Sequence, residues 1–150
     1  MPGEALEWEQ VKDAETQIKQ IIENNPEEFA HINPDQIAVV WITNKERPKG
    51  TKWDAKMDGV KAPVSLFCDR RYVIHFYKNV WEKFTSAQRA YVLSSMLLRI
   101  PLSDGEDPDG SVLPEDLKGM RKLVKRLGVD AMDDPNLPDL SKEKQILAIE

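Results

Sequence analysis

The chain has 150 residues, of which 41% are apolar and 31% are charged, as expected for one globular domain that buries its own core. Its net charge of -5 lacks the clustered basic field that binds a phosphate backbone, so nucleic acid is a poor candidate for a partner. The single cysteine, Cys68, excludes an internal disulfide and a thiolate zinc cluster, and no apolar run is long enough for a signal peptide or a membrane span. These features predict a cytoplasmic protein without a membrane contact.

The first part of the chain has apolar residues at steps of three and four, which predicts an amphipathic helix over residues 5–24. Asn25 and Pro26 follow, and a proline disfavours helical geometry in the residue before it. The apolar stripe of this helix consists of Trp8, Val11, Ala14, Ile18, Ile21 and Ile22.

Three segments rich in β-branched and aromatic residues follow and predict strands. Residues 37–43 are predicted as the first strand, and residues 63–69 and 72–78 as an antiparallel hairpin. Residues 44–62, rich in Lys and Gly, are predicted as a long loop anchored by Trp53 and Met57.

Helices are predicted for the rest of the domain. Thr85 and Gln88 have the spacing of a capping box, from which a helix should run to Ile100 and stop at Pro101. Residues 103–110 are predicted to form an acidic turn, but its carboxylates are out of register for a calcium loop, because Gly105 takes the first ligand position. A last helix is predicted from Leu113 to its C-cap, Gly128.

The predicted fold class is therefore α+β, with an N-terminal helix, a three-stranded and mainly antiparallel sheet, and two C-terminal helices. Residues 1–128 are predicted to form the domain. Residues 129–150 are predicted to be an extended or partly mobile tail.

The order of local motifs after residue 72 adds a family resemblance. The strand Tyr72-Val73-Ile74-His75-Phe76, a turn that contains Trp81, and a T-x-x-Q-R cap at Thr85 precede an apolar helix. This order resembles the phage metallopeptidase family, a minimal zincin-like domain in which the cap precedes an H-E-x-x-H helix. The resemblance extends through residues 33–39 upstream and 115–128 downstream, so it covers most of the chain.

The resemblance places the metal-binding motif on Ser95-Met96-Leu97-Leu98-Arg99, where its chemistry is missing. Ser95 stands for the first His, Met96 for the Glu base and Arg99 for the second His. Serine is a poor zinc ligand, a thioether is no base, and a guanidinium repels a cation. The third ligand would lie near Glu115 or Asp116, where a carboxylate is expected to pair with Arg99 in place of a metal. These departures from the family pattern favour a protein without a metal or cofactor and argue against peptidase activity.

Other candidate residues have simpler interpretations. A lone His in a sheet, such as His75, is usually structural, and Cys68 is interpreted as an inert core thiol. Ser94 and Ser95 lack the glycine-rich turn and neighbouring His of a serine hydrolase. The basic segment 44–61 is the predicted binding surface, since long loops often carry function. Its candidate binding residues are Lys45, Arg47, Lys49, Lys52, Trp53 and Lys56.

The predicted function is that of a non-catalytic, metallopeptidase-like phage or prophage protein in the host cytoplasm. It would bind a protein partner such as a host defence factor or a repressor. Two alternatives stay open: a divergent zinc hydrolase that uses His75, Glu115 and Asp116, and an acidic inhibitor that mimics DNA. The sequence does not indicate an oligomeric state.

Overall fold

The computed structural model describes residues 5–51, 53–101, 112, 127 and 131–142. Over these residues the chain has an α+β fold, in which a mixed sheet packs on one face against helices. The strands are β1 (Trp8–Gln10), β2 (Ile37–Ile42), β3 (Lys56–Gly59) and β4 (Tyr72–Tyr77), and the helices are α1 (Lys12–Asn24), α2 (Pro26–Phe29), α3 (Lys78–Trp81) and α4 (Ser86–Leu97).

The described strands form a four-stranded sheet in the order β1-β2-β4-β3. The two central strands, β2 and β4, run parallel, and each edge strand is antiparallel to its neighbour. The α+β class is confirmed, but the predicted three-stranded, mainly antiparallel sheet is wrong in its strand count and in its central pairing. A parallel pair needs a long crossover connection, and residues 43–71 provide one.

The N-terminal helix is shorter than its apolar spacing predicts. It begins at Lys12, and the preceding residues form the edge strand β1, in which Trp8 is the register partner of Ile42. The Val11 N–H also donates to the Val39 carbonyl at 2.8 Å. Pairing with the free edge of β2 satisfies these backbone groups and so overrides the helical spacing of Trp8 and Val11.

The predicted hairpin is also wrong in its first arm. Within residues 63–69 the structure has a single 3₁₀ turn, Val64–Leu66, whose side chains are largely exposed. The Arg71 guanidinium donates to the Cys68 carbonyl at 2.8 Å and so holds this segment as a loop. The antiparallel partner of β4 is instead β3, inside the predicted loop 44–62. Its sequence, Lys-Met-Asp-Gly, has little strand propensity, and it is typical of an edge strand that carries charge.

One core lies between the sheet and the helices. Ile18 and Ile21 of α1, Ile74 and Phe76 of β4, and Leu93 of α4 are completely buried in it. The predicted turn around Trp81 is confirmed as α3, and the Trp81 ring stacks on Phe76 with 3.9 Å between ring centroids. The pairing of these rings fixes α3 against the end of the sheet and so sets the start of α4.

The capping box of α4 forms as predicted. The Thr85 hydroxyl accepts the Gln88 N–H at 3.2 Å, and the Gln88 side chain accepts the Thr85 N–H at 2.8 Å. The Arg89 guanidinium donates two hydrogen bonds to the Trp81 carbonyl, at 3.1 and 2.9 Å. These contacts set the direction of α4, which carries the positions of the predicted metal motif.

Residues 131–142 pack against α1 and α4. Leu140 is fully buried, and the Asn24 amide donates to the Ser141 carbonyl at 2.6 Å. The hydroxyls of Ser86 and Ser141 both donate to Asp139. Burial acts to raise the pKa of Asp139, but these hydrogen bonds and the nearby Lys142 ammonium outweigh it and hold that pKa below 3.8.

Several sequence predictions fall outside the described residues. They are the acidic turn 103–110, the last helix apart from Leu127, Lys52, and the carboxylates Glu115 and Asp116. Leu127 itself is helical and buried. None of the described helices is long and apolar enough to cross a membrane.

Candidate functional site

Two of the predicted site positions lie at the C-terminal end of α4, Ser95 in its last turn and Arg99 just beyond its last residue, Leu97. Ser95 and Arg99 are four residues apart and both are partly exposed. The Ser95 hydroxyl donates to the Val92 carbonyl of its own helix at 2.6 Å, and Ser94, fully buried, donates to Ala90 at 2.8 Å. Both hydroxyls are therefore bonded to helix backbone, as is common for serine inside a helix.

The third site position, Met96, belongs to the core. Its side chain is buried among the apolar residues between the helices and the sheet. After Met96 the helix tightens, because the N–H groups of Arg99 and Ile100 bond three residues back, to Met96 and Leu97. His31 lies at this helix end, with its Nε2 3.1 Å from the Ile100 carbonyl. A carbonyl oxygen can only accept a hydrogen bond, so Nε2 is the nitrogen that donates. This hydrogen bond ties the segment between α2 and β2 to the end of α4.

These residues do not fit a zinc ion. A zinc site needs neutral imidazoles, carboxylates or thiolates as ligands. This helix end offers a hydroxyl bonded to backbone, a buried thioether and a guanidinium. Over the described parts of the chain, no group of three or more His, Cys, Asp and Glu side chains is placed to hold a metal ion.

His75 lies away from this helix end. Side chains of β4 alternate between the core, where Ile74 and Phe76 lie, and the opposite face of the sheet, where His75 lies with Val73 and Tyr77. The structure therefore does not bring His75 together with the α4 positions.

Two tryptophans flank His75 on that face. Trp8 and Trp53 meet its ring edge-on, with centroids 5.7 and 5.6 Å away, and the Asp58 carboxylate lies 3.6 Å from its Nδ1. The contact between Trp8 and His75 is not predictable from the sequence, because 67 positions separate the two residues and the apolar spacing places Trp8 in a helix.

The pKa of His75 is shifted by its surroundings. Burial lowers it below 6.5, the Asp58 carboxylate opposes this, and Lys56 lowers it further. Below pH 6.5 the unfolded chain therefore binds more protons at this site than the folded chain, so stability falls as the pH falls from 6.5 toward the folded pKa.

We expect the melting temperature to fall more between pH 7.5 and pH 5.5 for the wild-type protein than for His75→Gln, by a few degrees. Thermal melts monitored by circular dichroism measure the difference. Asp58→Asn should steepen the wild-type loss, because the charge that favours protonated His75 is removed. An equal fall in melting temperature for the wild-type protein and His75→Gln would show that His75 has the same pKa in the folded and unfolded states.

The predicted binding segment is partly tied down by its own side chains. Arg47 donates to the Thr51 carbonyl at 2.6 Å and pairs with Asp54 at 3.2 Å. The Trp53 ring stacks on Tyr77 and so anchors the segment on the sheet. Arg47 and Trp53 therefore have structural contacts, whereas the predicted binding residues Lys45, Lys49 and Lys56 are exposed.

Comparison with known proteins gives one match. A family model described as "Putative phage metallopeptidase" matches residues 6–142, which is most of the chain. No curated protein and no solved structure matches the chain.

Proposed function

The chain belongs to the phage metallopeptidase family, and from that membership we propose that it is a family member without peptidase chemistry that works by binding a macromolecular partner. The partner is proposed to be a protein, such as a host defence factor or a repressor. The site of action is the host cytoplasm, and the gene is carried by a phage or prophage.

The observation that supports this proposal is the chemistry at residues 95, 96 and 99. A zinc peptidase needs two imidazoles to hold the metal and a carboxylate to activate its water. Here Ser95 is bonded to the Val92 carbonyl and Met96 lies in the core. Arg99 places a permanent positive charge where a dication would bind.

A binding role is supported by the exposed part of segment 44–62. Over residues 44–62 as a whole, six basic and three acidic residues give a net charge of +3, whereas the whole chain carries -5. This local excess lies on a rigid base, since Trp53 and Arg47 fix the segment to the sheet and to itself. A preordered charged surface loses little conformational entropy on binding, which favours complex formation.

A peptidase assay with added zinc tests the proposal. The substrates are casein and a mixed fluorogenic peptide library. We expect no EDTA-sensitive hydrolysis of either substrate by the wild-type protein or by Ser95→Ala. Cleavage that EDTA abolishes would overturn the proposal. If such cleavage were also lost in His75→Ala, a divergent zinc hydrolase would be established instead.

A further inference from the structure

We propose that the sheet face opposite α1 and α4 is a docking groove for an acidic peptide segment of a partner protein that carries one large apolar anchor residue. The inference rests on the proposed binding function and adds the place and the chemistry of the contact.

The groove is a cavity of about 630 Å³ on the face of β2 and β4 where His75 lies. Val40 and Val73 form its floor, and Trp8 and His75 lie along one side. The opposite rim is formed by residues 58–61 and Val64. A cavity of this size is within the range that holds a drug-sized molecule, and so it holds one or two large side chains.

The apolar lining favours an apolar anchor. Trp8 has half of its surface exposed, although it already contacts the His75 ring. The turn on the other rim exposes Val64, Leu66 and Phe67, the last to 89%. Trp8, Val40, Val73 and Val64 all line the same cavity, and apolar surface that is gathered in one place typically marks a protein contact.

The charges at the rim favour an acidic partner. Lys61 lines the groove, and Lys56 lies beside it with its ammonium 5.6 Å from the Trp53 ring. Both belong to segment 44–62, whose charge of +3 contrasts with the net charge of the chain. The same rim carries one carboxylate, Asp58, so Lys56 and Lys61 together leave this rim with a net charge of +1. Carboxylates that flank an apolar anchor would therefore meet the lysines.

A nucleic acid fits this face less well than a peptide. Stacking platforms for bases need free aromatic faces and a track of cations. The Trp53 ring is already stacked on Tyr77, with 5.7 Å between ring centroids. The residues that line the groove include one lysine, Lys61, and one lysine does not form a track of cations. A concave apolar floor matches an aliphatic or aromatic side chain.

Selection from a displayed library of random 12-residue peptides tests the inference. We expect enrichment of peptides in which Asp or Glu flanks a Trp, Phe or Leu. Their affinity, measured by fluorescence polarisation, should fall at least tenfold in Trp8→Ala and in Lys61→Glu. Lys19→Glu, an equal charge reversal on the exposed face of α1, should leave it unchanged. Point changes are needed because deletion of segment 44–62 would remove β3.

Three results would overturn the inference. The first is that the enriched peptides lack acidic residues. The second is that acidic peptides bind Trp8→Ala and Lys61→Glu as tightly as they bind the wild-type protein. The third is that an oligo(dT) probe binds at the same groove more tightly than the selected peptides do. The second result would leave partner binding intact and move it to another surface. The peptidase assay decides independently whether the proposed function fails.

Discussion

Replacing Trp81 with alanine should destabilise the fold by about 3–5 kcal/mol, the usual cost of removing a large aromatic side chain from a core. Trp81 is 1% exposed and stacks on Phe76, and its carbonyl accepts two bonds from Arg89. Loss of the ring leaves a cavity between α3, α4 and the sheet, where the start of α4 is set. Urea unfolding followed by circular dichroism measures the change.

Trp8→Ala is the matched control, because the same side chain is removed from a half-exposed position. We expect a loss of less than about 1 kcal/mol there, as for most surface substitutions. Similar losses in the two variants would contradict the central role of the Trp81–Phe76 stack in the core.

Histidines at the two proposed ligand positions, 95 and 99, should create a zinc site. In Ser95→His/Arg99→His, the two imidazoles are four residues apart in sequence, as in the H-E-x-x-H motif, and the guanidinium of Arg99 no longer repels the ion. We expect the zinc dissociation constant to fall at least about a hundredfold relative to wild type, since two strong ligands replace a hydroxyl and a cation. Met96 is left unchanged, because a glutamate at this position would bury a carboxylate in the core. Competition with a chromophoric chelator measures the affinity.

A pair of histidines on another helix controls for chelation by any two imidazoles. Lys12→His/Thr16→His places them four residues apart on the exposed face of α1. The pair at 95 and 99 should bind zinc at least about tenfold more tightly than this control if Glu115 or Asp116 supplies a third ligand, as the resemblance implies. Equal affinities would mean that the motif is misplaced on this helix.

Local signals predicted the elements around the candidate site well. The capping box at Thr85 and Gln88 has its own geometry, so the start of α4 could be read from two residues. The order of strand, Trp81 turn and cap led to the family, which the match over residues 6–142 confirms. The strands β2 and β4 were found because their β-branched and aromatic content is dense.

The sheet topology could not be predicted in the same way. β1 and β3 have three and four residues, and both owe their conformation to pairing with β2 and β4. Neither segment has the composition of a strand. Each is a strand because it pairs with β2 or β4, and this pairing is not visible in its own sequence. The groove around His75 was missed for the same reason, since β1, β3 and β4 must be paired before Trp8 and Asp58 meet that ring.

Elemental analysis of the purified wild-type protein, dialysed against excess zinc and then against metal-free buffer, measures directly whether the chain holds a zinc ion, which the proposed function excludes. We expect less than about 0.1 zinc ion per chain, because residues 95, 96 and 99 supply no ligand that competes with water. One zinc ion per chain, removed by a chelator together with a fall in melting temperature, would contradict this.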